Sequence, residues 1–258
     1  MLDKLVGFIG SGRVARILIE GWQRTGGLPQ RIIVCDPNQE AVSKLKQKLP
    51  AIEIAASAGD SAKGDIVFIA VHPPVVPLVC EQIKGQIGQS TIVISLAPKF
   101  TIQNLKGLLN GFEKICRVIP NAPSIIGAGF NPVAFSESLT PEEKNEVRQL
   151  FEPLGEFPEV EEEKLEAYAI LTAMGPTYLW FQFQALREVA AGFGLQEEAI
   201  NVALKRMVCG SARTLIDSGL PPQEVVNLVP VKPLAEMEPN VIEMYKTRLP
   251  GTYQKIKP

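Results

Sequence analysis

The chain is poor in the residues from which metal and covalent catalytic centres are built. Its 258 residues hold one histidine, His72, and four cysteines, Cys35, Cys80, Cys116 and Cys209. A lone imidazole excludes a multi-histidine metal centre, and isolated cysteines without C-x-x-C spacing supply no thiolate cage, so no bound metal is expected. The same isolation argues against a disulfide framework and for reduced, mostly buried thiols in a cytoplasmic protein. Basic residues are few and scattered: 26 Lys and Arg against 28 Asp and Glu, a net charge of -2, form no basic stripe and leave no footprint for a nucleic acid. There is no internal repeat, no low-complexity linker and no Gly-x-Ser-x-Gly elbow around Ser11, which is therefore no nucleophile. The first apolar residues, Leu5-Val6, leave no room for a signal segment, so export is not expected. These exclusions leave a small molecule as the expected partner.

One uncharged run, about twenty residues from Ala167 to Leu186, has the length to span a bilayer. Gly175-Pro176 interrupts it and Thr172, Thr177, Gln182 and Gln184 add polarity, so a helix buried in a helical domain or subunit interface is expected instead, with no membrane contact.

What is present is an alternation of apolar strand-like runs with helix-like segments. Leu5 to Ile9, Arg31 to Cys35, Ile52 to Ala55, Asp65 to Val71, Ser90 to Leu96, Lys114 to Ile119 and Asn131 to Ser136 read as strands, with Phe157 to Val160 as a final edge strand. The continuously apolar runs 65–71 and 90–96 mark strands buried on both faces, as in a doubly wound α/β sheet. Thr140-Pro141-Glu142-Glu143 opens a helix running to about Pro153 with a cap, an N1 proline and an acidic first turn. From Glu162 strand signals vanish, and helices are expected over about 163–193, 196–218, 222–228 and 241–246. This pattern predicts an α/β fold class: a Rossmann-type doubly wound sheet domain over 1–161 followed by an all-helical domain over 162–258.

The most informative motif is Gly7-Phe8-Ile9-Gly10-Ser11-Gly12-Arg13-Val14-Ala15. A strand must stop, a helix must start at once, and a pyrophosphate must approach backbone N–H groups with no Cβ between. Gly10 and Gly12 meet that demand, and Ser11, Arg13 and Val14 complete the loop. Asp36, about 24 residues past Gly12 at the end of the second strand, stands where a carboxylate takes the ribose hydroxyls. It attracts the diol of NAD and repels the 2′-phosphate of NADP, so NAD is favoured, with Arg13 and Lys44 available to soften the repulsion. Residues after the later strands complete the cofactor candidates: Val71 and His72, then Asn121, whose amide either meets the nicotinamide or orders a loop. His72 serves as an acid or base or merely flanks the cofactor. Glu159, Glu161, Glu162 and Glu163 read as a solvated helix start.

Taken in order, these motifs resemble the pyrroline-5-carboxylate reductase family. Residues 7–15 look like its G-F-I-G-x-G-x-M-A, Ala70-Val71-His72-Pro73 is similar to A-V-K-P, residues 117–123 are similar to R-x-M-P-N-T-P, and Gly175-Pro176-Thr177-Tyr178 looks like the end of S-G-S-G-P-A-Y. Ser95-Leu96-Ala97 and Phe151 to Gly155 also have family counterparts. The resemblance implies NAD or NADP as cofactor, contacts to it from Gly10, Gly12, Arg13, Val71 and Asn121, reduction of a cyclic imine carboxylate, and a homodimer or larger homo-oligomer through the helical domain.

The substrate side departs from the family. Val231-Lys232-Pro233-Leu234-Ala235-Glu236 stands where the family has S-P-G-G-T-T, His72 replaces lysine, and Thr172-Ala173-Met174 replaces Ser-Gly-Ser. A loop without glycine grips an anion less well with its amides, and Pro233 removes one donor. The catalytic candidates are therefore Thr172, Thr177 as hydrogen-bond or proton donor, and Lys232 as carboxylate anchor. Two other readings stay open: a β-hydroxyacid dehydrogenase-like enzyme, for which no lysine occurs among 172–186, and a non-catalytic dinucleotide-binding dimer with a regulatory role.

Overall fold

The structure, a computed structural model, describes residues 3–258. Its internal contacts divide the chain into a first unit that runs through Met174 and takes back Thr252–Pro258, and a second unit, Gly175–Gly251.

The first unit opens with β1 (Leu5–Ile9), α1 (Arg13–Thr25), β2 (Arg31–Cys35), α2 (Gln39–Lys48), β3 (Glu53–Ile54), α3 (Ala58–Ser61) and β4 (Ile66–Ile69). It continues through α4 (Val76–Ile83), β5 (Ile92–Ser95), α5 (Ile102–Leu108), β6 (Ile115–Val118), β7 (Gly129–Phe130) and β8 (Val133–Phe135). α6 (Pro141–Phe151), β9 (Gly155–Glu156) and α7 (Leu165–Tyr168) follow. The main sheet has the order β3-β2-β1-β4-β5-β6-β8, parallel throughout except that β8 runs antiparallel to β6. Strand order reverses between β1 and β4, which opens a crevice at their carboxyl ends, as in a Rossmann-type sheet.

Both faces of the sheet are buried, which explains the unbroken apolar strands. On one face Phe8 stacks on Phe68 with ring centroids 4.5 Å apart, beside Trp22 of α1 and Phe151 of α6. Trp22 is fully buried, and its indole N–H donates to the Leu150 carbonyl at 2.7 Å, so burial leaves no polar atom unpaid. On the other face Ile9, Val67 and Ile69 pack against Val79 and Ile83 of α4 and Leu105 of α5. α6 carries the expected capping box between Thr140 and Glu143, with Pro141 in its first turn.

Three expectations need correction. The edge strand over 157–160 is only a single bridge, Val133 to Glu159, because Pro158 has no N–H to extend the ladder; the paired residues are instead β9 with β7. The single helix expected over 163–193 is broken into a 3-10 turn (Glu162–Lys164), α7, and a π turn (Ala169–Ala173) before the next helix. Pro176 cannot donate to the carbonyl of Thr172, and Met174 N–H reaches back five residues to the Ala169 carbonyl at 2.9 Å. Residues 162–174, assigned by sequence to the helical part, pack with the sheet: Leu165 and Ala169 join its core.

The second unit holds α8 (Gly175–Gly192), α9 (Glu197–Asp217), α10 (Pro222–Val226) and most of α11 (Glu238–Ile256). α11 is longer than the expected 241–246. It runs through Pro250, and its last turn packs the partly buried Ile256 against the core of the first unit. Among the helices of the second unit, only Ile200 is buried. Trp180, Phe181, Phe193 and Ile216 are each more than half exposed. No helix of the described residues is long and apolar enough to cross a membrane.

Candidate dinucleotide site

The crevice between β1 and β4 is a cleft of about 1520 Å³ lined only by residues of the first unit. That exceeds the roughly 300–1,000 Å³ of sites for drug-sized ligands and gives room for a dinucleotide. Its floor is the turn from β1 into α1. Gly10 has φ 105°, and a Cβ there would stand 2.5 Å from the Ala70 carbonyl oxygen, so only glycine fits beside β4. Its N–H donates to the Cys35 carbonyl at 2.8 Å, which ties the turn to the end of β2. Gly12, the N-cap of α1, has an ordinary φ of -66°, and a Cβ there meets no protein atom within 4 Å. Nothing in the protein requires glycine at 12, and the space over the first turn of α1 is left open there.

The helix end is equipped for an anion. No side chain caps α1, its first N–H groups lack intrahelical partners, and its macrodipole favours negative charge. Arg13, exposed at the cleft, enters no ion pair among the described residues. The other lining cation, Lys63, bonds Asp60 at 2.9 Å, and with Ser57 it holds the Asp60 carboxyl below its usual range. These residues fit a dinucleotide: amides and Arg13 for the pyrophosphate, a glycine cradle, and carboxylates at the ribose end.

Asp36 is bound into the loop before any ligand arrives. Its Oδ2 accepts from the Ser11 N–H at 2.7 Å and the Ser11 hydroxyl at 3.0 Å, and its Oδ1 accepts from the Asn38 N–H at 2.8 Å. Ser11 is accordingly buried by this bond rather than aimed at the cleft. Each carboxylate oxygen has further lone-pair capacity, so Asp36 can hold the loop and still accept a ribose hydroxyl. Lys44 does not soften its charge. It pairs with Glu40 one turn back on α2 and is absent from the cleft lining. Cys35 also lines the cleft, where burial, aided by Asp36 and Asp60, pushes its thiol up and keeps it protonated. Burial likewise raises Cys80 to about 11 and Cys116 further.

Val14, Val71 and His72 line the cleft with Gly10, Gly12 and Arg13. His72 is exposed at the start of a 3-10 turn begun by Pro73. Asn121 takes the loop-ordering role. It is nearly buried, its Oδ1 accepts from the Phe130 N–H at 3.1 Å, and its Nδ2 donates to the Thr172 carbonyl at 3.3 Å. Thr172 sits in the π turn with its hydroxyl donating to the Tyr168 carbonyl at 2.8 Å, and Met174, which ends that turn, reaches the cleft. Thr177 and Lys232 lie in the second unit, Thr177 in the first turn of α8 and Lys232 between α10 and α11, its Nζ donating to Asn227 Oδ1 at 3.2 Å.

The acidic run at 159–166 is not a solvated helix start throughout. Glu162 accepts from the Ile102 N–H at 2.6 Å and from Arg117 at 3.0 Å, while Glu166, missed in the sequence, is buried against Arg117. The overlooked signal was Arg117 itself: a cation inside the apolar run Ile115-Cys116-Arg117-Val118 demands a buried counter-charge. No group of three or more His, Cys, Asp or Glu among the described residues could hold a metal ion.

The chain is similar to several known oxidoreductases. The family model described as NADP oxidoreductase coenzyme F420-dependent matches residues 5–99, which hold β1 to β5. The pyrroline-5-carboxylate reductase of Escherichia coli is 27% identical over 230 residues, covering 88% of this chain and 85% of that protein. A solved pyrroline-5-carboxylate reductase of Coxiella burnetii is 25% identical with a TM-score of 0.69, covering 99% of this chain and 95% of the other. The NADP-bound pyrroline carboxylate reductase of Plasmodium falciparum shares the fold, with a TM-score of 0.76 at 21% identity over 99% of this chain and 95% of the other. Over most of its length the chain is thus similar to pyrroline-5-carboxylate reductases.

Proposed function

We propose that the protein is an NAD(P)-dependent reductase of a C=N bond, with 1-pyrroline-5-carboxylate or a related cyclic imine carboxylate as substrate. The observation that carries this reading is the cradle at Gly12, open to a phosphate and flanked by the unpaired Arg13. When bound, the dinucleotide would supply the hydride for the imine carbon. The chain's own residues do the positioning: the α1 N-terminus and Arg13 hold the pyrophosphate, and Val71, His72 and Met174 line the cleft beyond β4. Thr177 is the proposed hydrogen-bond donor to the nitrogen and Lys232, as a point charge, the proposed partner of the substrate carboxylate, both at positions where the chain departs from the family motifs. The hydroxyl of Thr172 is committed to Tyr168, so its part is to shape the π turn.

NADH is the proposed cofactor. Asp36, fixed by three hydrogen bonds, puts a negative charge at the ribose end, whereas Arg13 is exposed and screened. Even a small part of the roughly 4 kcal/mol that acts between unit charges 4 Å apart at a protein surface gives about a tenfold preference. The purified protein is expected to oxidise NADH with pyrroline-5-carboxylate, more slowly in Thr177→Val and Lys232→Met, and to bind NADPH about ten times more weakly. Cofactor binding without turnover on any cyclic imine would leave the non-catalytic reading standing; tighter NADPH binding would overturn the role of Asp36. The reduced, unpaired thiols support a cytoplasmic setting.

A homodimer or larger homo-oligomer is proposed because helices α8 to α11 bury almost none of their apolar side chains. Light scattering at micromolar concentration is expected to give at least twice the 28.1 kDa chain mass. A monomer at every concentration would refute it.

A further inference from the structure

Arg117 lies in the middle of β6 with 1% of its side chain exposed, and both its carboxylate partners come from the segment that enters α7. Glu166 is as buried as the arginine, while Glu162 keeps some exposure. A buried ion pair is no better for stability than apolar packing of equal volume. What this one adds is two acceptors aimed at one turn. Glu166 Oε1 takes the N–H of Lys99 at 3.3 Å, and Glu162 Oε1 takes the N–H of Ile102 at 2.6 Å.

That turn, between β5 and α5, is strained. Lys99 has φ 76°, a left-handed conformation unfavourable to any residue with a Cβ, and its exposed side chain makes no hydrogen bond or ion pair among the described residues to justify it. Such a conformation persists when its surroundings over-determine it. Leu96 and Pro98, just before it, line the cleft. On the other side, the chain from Glu166 continues into the π turn, whose Thr172 carbonyl holds Asn121 and whose end places Met174 in the cleft.

We propose that Arg117, Glu162 and Glu166 are positioning residues that hold the Lys99 turn in its left-handed form and so set the cleft wall at Leu96, Pro98 and Met174 against the nicotinamide half of the cofactor. The proposal rests on the dinucleotide reading of the cleft. In Glu166→Gln the full-length protein keeps its side-chain volume but loses the charge that clamps the turn. Amide hydrogen exchange at Lys99 in the cofactor-free protein then rises at least about tenfold. NADH affinity falls about fivefold or more, and the affinity for ADP-ribose, which has no nicotinamide, changes less than about twofold.

Glycine accepts φ 76° without a Cβ penalty, so Lys99→Gly in the Glu166→Gln background restores most of the NADH affinity. Alone it alters that affinity less than about twofold. Glu162→Gln, at a partly exposed position, gives the same pattern more weakly at Ile102 and serves if Glu166→Gln does not fold. Equal losses for NADH and ADP-ribose, unchanged exchange at Lys99 or Ile102, or no rescue by Lys99→Gly would each overturn the proposal. Failure of the parent chain to bind either ligand would sink the dinucleotide reading, and with it the placement of the nicotinamide, while the exchange arm still tests the hold on the turn.

Discussion

Gly12→Ala is expected to bind dinucleotide about a hundredfold more weakly than the parent chain, a loss of roughly 2.8 kcal/mol, while melting only a few degrees lower. The two effects separate because the backbone at 12 suits alanine: φ is ordinary, and the added Cβ meets no protein atom within 4 Å. Stability loses about 1 kcal/mol at most, from a poorer helix cap. The methyl group instead occupies the space over the first turn of α1, where the pyrophosphate approaches its amides. Gly10→Ala behaves differently. There the methyl meets the Ala70 carbonyl at 2.5 Å with φ at 105°, so strain and overpacking together cost about 2–6 kcal/mol and binding and folding fail together. Calorimetric titration with NADH beside thermal melts distinguishes the pair. Unaltered affinity in Gly12→Ala would mean that nothing docks on the α1 N-terminus.

The largest loss of stability is expected from Arg117→Met, about 3–5 kcal/mol by urea denaturation. Methionine fills much of the volume but leaves Glu166, 1% exposed, as a buried charge without its counter-ion, with one oxygen already lacking a partner. Domains of this kind hold only about 5–15 kcal/mol in total, so the variant stands near the edge of folding. Replacing both partners, Arg117→Met with Glu166→Leu, removes the stranded charge and recovers most of the loss. A single variant as stable as the parent would show that the Arg117–Glu166 ion pair does not hold.

Much of this was legible in the sequence because the decisive residues carry their reason locally. Gly10 states a close approach to β4, Asp36 ends a strand where it can tie down the glycine loop, and Thr140 with Glu143 announces the start of α6. Distance along the chain hid the rest. Arg117 is an anomaly within its own strand, yet its partners lie 45 and 49 residues further on, and no local rule pairs them. Lys44 shows the reverse error: its partner Glu40, one helical turn away, was readable, and that pair removes it from the cofactor site. The break at Pro176 was visible, but a π turn as its consequence was not, since the backbone repair depends on the hydroxyl and carbonyl groups of its neighbours. Thr177 and Lys232 remain proposals from their chemistry alone, because both stand where the family motifs carry other residues.

The bond between Asp36 and Ser11 also bears on the speed of capture. A loop already closed by two hydrogen bonds from one serine to one carboxylate meets its ligand in finished form. The association rate is therefore expected to rise linearly with ligand concentration instead of levelling at the rate of a slow isomerisation, which stopped-flow mixing with NADH checks.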